Sequence, residues 1–189
     1  MKITSGIASG INLLSPKNSD TRPALERARI SLFSSLGLIE GARIADLFAG
    51  SGAFGLESAS RGASDVLFVD KNFEACSIIS KNIEIIRKSG VEANLRVIRS
   101  DIFSFLRHRQ DLPFNFIFLD PPYSDTKSIT KQLLDNEDFA KFAINSMIIL
   151  KVPDRFDVSF IYKSKFGILT GQRRYGGTDF ISMKIQRSA

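Results

Sequence analysis

The stretch Phe114-Asn115-Phe116-Ile117-Phe118-Leu119-Asp120-Pro121-Pro122-Tyr123 is a short apolar run that ends in a carboxylate, two prolines and a tyrosine. Its aromatic and β-branched residues predict a buried strand. Because proline lacks an N–H donor and has a fixed φ, the strand cannot continue past residue 120. The stretch therefore places Asp120 at the carboxyl end of a strand, ahead of a stiff turn.

The sequence around this strand alternates between strand and helix patterns from residue 42 onward. Besides the opening stretch, strands are predicted at residues 43–48, 65–70, 95–100 and 147–151. Helices are predicted at residues 53–61, 73–89, 102–109, 128–134 and 139–144. This alternation predicts an α/β sheet of parallel strands with helices on both faces. Two later strands, at 158–162 and 179–185, have no helix between them and predict an antiparallel pair at one edge.

The first forty residues are predicted to form a small extension that packs on a main domain of residues 41–189. Residues 2–14 suit a short hairpin or an irregular strand pair. Arg22-Pro23 then opens a helix, where the missing N–H of proline costs nothing. Apolar residues at helical spacing define its buried face, namely Leu25, Ala28, Leu32 and Leu36.

Composition favours a soluble cytoplasmic protein. A chain of 189 residues with 43% hydrophobic content suits one large domain. No apolar run approaches the roughly 20 residues of a membrane helix, and the amino terminus lacks a signal-peptide core. The single cysteine, Cys76, excludes an internal disulfide and is predicted to be a small core residue, whereas His108 is predicted to lie at the surface.

The net charge of +6 favours a polyanionic partner, because its surplus lies at the two ends of the chain. Residues 1–40 carry five basic and three acidic side chains, and residues 151–189 carry eight and three. Basic surfaces of this kind mostly contact phosphate backbones, so nucleic acid is the favoured partner.

Four carboxylates, Asp46, Asp70, Asp101 and Asp120, lie at or just beyond the ends of successive predicted parallel strands. The carboxyl ends of such strands share one edge of the sheet, where α/β folds bind ligands. One aspartate there is unremarkable, since it could simply cap a helix. Four in series predict a lined crevice.

The loop after the first strand, residues 46–55, has glycines at G-x-G-x-x-G spacing, with Asp70 twenty positions beyond Gly50. Glycines let a backbone turn tightly and approach a ligand, and an acid after the second strand can accept both ribose hydroxyls. The pattern alone also fits nicotinamide or flavin enzymes. Asp46 favours S-adenosylmethionine, because a carboxylate here would repel a pyrophosphate and attract an ammonium. Asp101 could accept from an adenine amino group.

The Asp120–Tyr123 turn suits methylation of a nucleobase amine, whose lone pair is delocalised into the ring. Asp120 and the carbonyl of Pro121 could accept from the two amine hydrogens and orient the nitrogen, and Asp120 would stabilise the developing positive charge. Tyr123 could stack on an extruded base. This chemistry requires no metal and no covalent nucleophile.

These residues resemble the RsmD family of bacterial 16S ribosomal RNA guanine-N2 methyltransferases. The similarity rests on Arg22-Pro23, residues 46–57, Ser60-Arg61-Gly62-Ala63 and Asp120-Pro121-Pro122-Tyr123. It implies a Rossmann-like class I methyltransferase with a seven-stranded, mostly parallel sheet and an antiparallel carboxyl-terminal strand. It also implies methylation of one guanine of 16S rRNA within the small ribosomal subunit or its assembly intermediate. We expect the protein to act as a monomer. The implied cofactor residues are Asp46, Phe48, Gly50, Ser51, Gly52, Gly55, Asp70, Asp101 and Ile102, and the implied catalytic residues are Asp120, Pro121, Pro122 and Tyr123.

The chain departs from the family pattern where RNA docking by residues 1–40 is expected. Ala24 stands where threonine is common, Ile30 where glutamate is common, and residues 3–14 contain no basic side chain. We therefore expect phosphate contacts from Arg22 and, in the tail, mainly from Arg173 and Arg174, together with Lys163, Lys165 and Lys184.

Three other functions share parts of this pattern. A DNA adenine-N6 methyltransferase would use the same Asp120–Tyr123 motif, although it normally needs a target-recognition domain for which this chain has no room. A non-catalytic RNA-binding protein with this fold, or a nicotinamide oxidoreductase, would not need that motif.

Overall fold

Seven strands form one sheet in the computed structural model, which describes residues 1–16, 23–108, 113–175 and 177–186. Its order is β3-β2-β1-β4-β5-β7-β6. The first five strands pair in parallel, whereas β7 is antiparallel to both β5 and β6. The mostly parallel sheet with an antiparallel carboxyl-terminal strand is confirmed. The strands are β1 Arg43–Leu47, β2 Asp65–Asp70, β3 Asn94–Arg99, β4 Phe116–Leu119, β5 Met147–Pro153, β6 Gly167–Tyr175 and β7 Thr178–Ile185.

Helices cover both faces of the sheet, as the alternating pattern predicts. One apolar layer joins the sheet to α1–α3 and the other joins it to α4–α6. None of the helices in the described ranges has the length and apolar composition that a membrane span needs. The helices are α1 Pro23–Leu36, α2 Ala53–Ser60, α3 Phe73–Arg87, α4 Ile102–Leu106, α5 Thr126–Leu134 and α6 Glu137–Phe142.

The strand predicted at residues 158–162 is wrong. Residues 158–160 lie in a coil and turn, and a short 3-10 helix follows at Ile161–Lys163. Phe160 and Ile161, with Phe166 beyond them, are buried in the α4–α6 layer. The sequence interpretation missed β6, because this edge strand alternates between half-buried and exposed residues and has a register shift between Leu169 and Gly171. A half-exposed strand with glycine and arginine carries little of the apolar alternation that identifies strands.

The amino-terminal segment packs on α2 and forms a single antiparallel bridge, between Lys2 and Asn12. Its buried residues Ile3, Ala8 and Leu13 belong to the α1–α3 apolar layer. The backbone N–H of Ile7 donates to the carbonyl of Ser60 at 2.8 Å. The extension is thus continuous with the core of the domain.

Candidate active site at the carboxyl edge of the sheet

The sheet brings Asp46, Asp70 and Asp120 to one edge, as the strand pattern predicts. Leu47 of β1 lies in register with Val69 of β2 and Leu119 of β4. Asp70 ends β2 and Asp120 immediately follows β4, so both flank the end of β1. Asp46 lies one residue before that end and is almost fully buried.

The loop between β1 and α2 is held by two of these carboxylates. The backbone N–H of Gly55 donates to Oδ2 of Asp46 at 2.9 Å, and that of Gly50 donates to Oδ2 of Asp70 at 2.9 Å. Phe48, with φ of 63°, adopts a left-handed conformation that is uncommon for a bulky residue. Backbone strain of this kind is concentrated at functional sites. The predicted loop residues therefore form one turn that is held at both ends by carboxylates.

Gly55 is required by packing. A Cβ atom at this position would lie 2.2 Å from Cε1 of Phe68 on β2. Only a residue without a side chain allows α2 to begin so close to the sheet. The last glycine of the motif thus sets the distance between helix and strand, and the backbone N–H of Gly55 reaches Asp46 as a consequence.

The electrostatics around Asp46 favour a bound cation. Burial raises the pKa of Asp46 well above its ordinary value; the Gly55 N–H opposes this rise, and the negative charges of Asp120 and Asp70 add to it. Oδ1 of Asp46 is buried and has no hydrogen-bond partner. A buried acceptor without a donor is costly. The site therefore fits the ammonium of S-adenosylmethionine, which would supply both a donor and a compensating charge.

The side chains that follow β2 and β3 lie at the same edge of the sheet. Asp101 caps α4, where its Oδ1 accepts from the N–H groups of Phe103 at 3.0 Å and Ser104 at 3.2 Å. Ile102 beside it is buried. Phe73 is 71% exposed. Phe73 is the first residue of α3, so it extends past the sheet edge, where Arg99 lies 5.7 Å from its ring centroid.

Asp120 is paired with Lys151, a residue that the sequence interpretation missed. The Nζ atom of Lys151 lies 2.8 Å from Oδ2 and 3.1 Å from Oδ1 of Asp120. Burial raises the pKa of Asp120, and the contact with Lys151 opposes that rise. Burial disfavours the charge of Lys151 as well, but Asp120 and then Tyr123 raise the pKa of the lysine above its ordinary value. The position of Lys151 in β5 could have indicated this contact. Leu150 pairs with Leu119, so the next residues along the two strands, Lys151 and Asp120, are neighbours.

The rest of the motif forms a turn with an open aromatic ring. The Pro122 carbonyl accepts from the Asp125 N–H at 3.0 Å and from the Thr126 hydroxyl at 3.0 Å. The Pro121 carbonyl receives only a longer contact from that hydroxyl, at 3.4 Å. Tyr123 is 55% exposed. The turn therefore leaves the Pro121 carbonyl with acceptor capacity and presents the Tyr123 ring to solvent.

The predicted phosphate-binding arginines of the tail differ in their surroundings. Arg174 pairs with Asp154 at 2.8 Å and with Asp179 at 3.1 Å. Arg173 is exposed and has no ion-pair partner among the residues that the structure covers. It lies in register with Phe180, which in turn pairs with Lys151, so two strand spacings of about 4.8 Å separate Arg173 from Lys151. Arg22 lies outside the described residues.

The three predicted tail lysines do not form one surface. Lys163 is exposed, whereas Lys165 pairs with Glu137 at 2.9 Å. Lys184 borders an open cavity of about 470 Å³ that Glu40 and Asn115 also line. This cavity lies at the amino ends of β1 and β4, away from the aspartates of the site. Within the described ranges, no group of His, Cys, Asp and Glu side chains is arranged to hold a metal ion.

The chain is similar to methyltransferases in sequence. The family described as Conserved hypothetical protein 95 matches residues 1–183. YlbH of Bacillus subtilis (strain 168) is 34% identical over 130 residues, which span 67% of this chain and 69% of that protein. Ribosomal RNA small subunit methyltransferase D of Escherichia coli (strain K12) is 36% identical over 124 residues, which span 65% of this chain and 60% of that protein. A solved structure from Thermus thermophilus, named as a hypothetical protein, has a TM-score of 0.78 and 28% identity, covering 98% of this chain and 99% of its own.

Proposed function

The chain belongs to the family described as Conserved hypothetical protein 95, the RsmD family, and from this we propose that it methylates the exocyclic N2 of one guanine in 16S rRNA. Its cofactor is S-adenosylmethionine, which supplies a methyl group on a positively charged sulfur. The observation that supports the proposal is the position of Asp120 and the Pro121 carbonyl, at the end of β4 and at the same edge of the sheet as Asp46 and Asp70.

The two acceptors act on the amine of the base. Asp120 and the Pro121 carbonyl each accept one amine hydrogen, which directs the nitrogen lone pair into the crevice and draws the nitrogen out of conjugation. As the nitrogen bonds to the methyl carbon, the bond from that carbon to the cofactor sulfur would break and leave a neutral thioether. The nitrogen becomes positively charged, and the Asp120 carboxylate stabilises that charge. One of the two nitrogen-bound protons is then released, which restores a neutral amine.

Tyr123 holds the extruded base. Its ring is exposed beside Asp120, and stacking of an aromatic ring on a base contributes roughly 1–3 kcal/mol. An extruded base is read by stacking together with hydrogen bonds to its edge. Tyr123 and Asp120 therefore bind two different features of the same nucleotide.

We infer that the partner is the small ribosomal subunit or its assembly intermediate, in the cytoplasm, and that the enzyme acts as a monomer. The small subunit is named in the E. coli relative. Arg173 is suited to a backbone phosphate, because it is exposed at the same edge of the sheet as Lys151 and is free of carboxylates in the described structure. Arg27, which is exposed on α1, would extend this docking surface. Arg22 stays a predicted phosphate contact from the sequence alone.

Labelled S-adenosylmethionine with three acceptors tests this function. Small subunits, naked 16S rRNA and duplex DNA are each incubated with the protein, and the labelled base is identified after digestion. We expect label on guanine N2 in small subunits. Label confined to adenine in DNA would establish the adenine-N6 alternative, and cofactor binding without transfer to any acceptor would establish a non-catalytic binding protein.

A further inference from the structure

The Asp120–Lys151 pair differs from the other lysine ion pairs among the described residues. Its side chains are 28% and 15% exposed, whereas Lys127–Asp157, Lys131–Asp135 and Lys165–Glu137 have side chains that are at least 34% exposed. Exposed pairs contribute little, while a charge inside a crevice needs a partner. Nζ of Lys151 contacts both carboxylate oxygens of Asp120, so it holds the orientation of the whole group.

The groups that face Asp120 come from three elements. Asp46 on β1 adds negative charge, Lys151 on β5 adds positive charge, and the Tyr123 ring follows β4 at 5.4 Å from Nζ of Lys151. Burial favours a protonated Asp120. Among the described groups around Asp120, Lys151 is the one whose charge favours the carboxylate.

The protonation state of Asp120 decides which base edge it can bind. An ionised carboxylate presents only acceptors, whereas a protonated one presents a donor beside an acceptor. Guanine offers two adjacent donors, N1–H and N2–H, which match a carboxylate. Adenine offers its N6–H donor beside N1, which is an acceptor. If the N6–H donated to one carboxylate oxygen, N1 would face the other oxygen, and these two acceptors would repel each other. Selection can therefore rest on a repulsive contact with the wrong base.

We infer that Lys151 is a positioning residue that keeps Asp120 an ionised, two-oxygen acceptor and thereby selects a guanine edge over an adenine-like edge. This inference rests on the proposed function, since it concerns the same amine site. It assigns the choice of base to an ion pair between β4 and β5. The motif at residues 120–123 by itself identifies only an amino nitrogen.

The first test needs no activity. The Asp120 side-chain carboxyl is followed by ¹³C NMR against pH, with its resonance assigned from Asp120→Asn. In Lys151→Met the protonation midpoint should move to higher pH by about 1–3 pH units, the effect of losing an opposite charge at this distance. Lys151→Arg should restore the midpoint, and Lys131→Met, which breaks an exposed pair, should leave it unchanged. An unchanged midpoint in Lys151→Met overturns the inference.

The second test measures selection directly. Small subunits are reconstituted with guanine or 2-aminopurine at the methylated position; 2-aminopurine keeps the 2-amine but has an acceptor at N1. The unaltered enzyme should favour guanine in kcat/KM by about 10- to 100-fold, the value of one charge-assisted hydrogen bond. Lys151→Met should lose that preference below its new midpoint, and Lys151→Arg should keep it.

The outcomes separate the inference from the function on which it rests. Suppose that both proteins methylate guanine and that Lys151→Met keeps the same ratio of kcat/KM for guanine over 2-aminopurine as the unaltered enzyme. That result overturns the role of Lys151 and leaves the proposed function standing. Failure of the unaltered enzyme to methylate guanine overturns the proposed function, and the selection role falls with it. The NMR midpoints still decide whether Lys151 keeps Asp120 ionised.

Discussion

Replacing Glu57 by glutamine should loosen the amino-terminal segment from the domain. Glu57 on α2 is fully buried. Its Oε2 accepts from the Thr4 N–H at 2.9 Å, and its Oε1 accepts from Arg61 Nε at 2.8 Å and from the Thr4 hydroxyl. Nε of Arg29 lies 3.6 Å from Oε2. Glutamine preserves the volume, but it removes the charge that compensates two arginines and turns one acceptor into a donor.

The magnitude follows from burial. Removing one partner of a buried ion pair costs about 3–5 kcal/mol, because the remaining charge stays desolvated. Arg29 is also buried, and its guanidinium donates to the Lys2 carbonyl, so it cannot easily turn to water. We expect Glu57→Gln to lower the free energy of unfolding by about 3 kcal/mol. For a domain of this size, that corresponds to a fall in Tm of roughly 6–12 °C.

Urea denaturation followed by circular dichroism measures this change, and amide hydrogen exchange at residues 3–14 locates it. Glu137→Gln is the matched control, because it removes an exposed carboxylate from its pair with Lys165, and it should leave the midpoint unchanged. A loss below about 1 kcal/mol in Glu57→Gln would refute the reasoning, since the network would then contribute no more than a surface pair.

Three further predictions concern the site. Asp120→Ala should reduce kcat by at least about 100-fold and leave cofactor affinity nearly unchanged by calorimetry; retained activity would exclude a catalytic role. Because burial raises the pKa of Asp46 and a bound ammonium favours its ionised form, cofactor affinity should fall as the pH drops through that raised pKa. Asp46→Asn should abolish this pH dependence, and a slope that persists in calorimetric titrations would argue against Asp46 as its source. Arg173→Ala should reduce the salt slope of small-subunit binding by about 0.7, whereas Arg174→Ala, whose guanidinium is held by Asp154 and Asp179, should not. Equal slopes for the two variants would contradict that distinction.

Local pattern accounts for most of the fold. The boundaries of β2 agree with the prediction, and the other parallel strands shift by one or two residues. These strands are buried on both faces, so their apolar runs are strong signals. A strand was predicted at residues 158–162, where none forms. The strand β6 was missed, because an edge strand exposes half of its residues. An apolar segment can join the sheet as a strand or pack against it as irregular structure. The outcome depends on tertiary contacts with the neighbouring elements.

For the site, the sequence by itself determined the carboxylates and the glycine loop, because residue type and strand ends suffice to place them on one edge. Only the tertiary structure decided what those groups contact. Lys151 lies 31 positions from Asp120 and meets it through the pairing of β4 with β5. Arg173 and Arg174 are neighbours in the chain, but successive strand residues point to opposite faces, and only Arg174 meets carboxylates. Charge–charge contacts depend on distances of a few ångströms, which spacing along the chain does not specify.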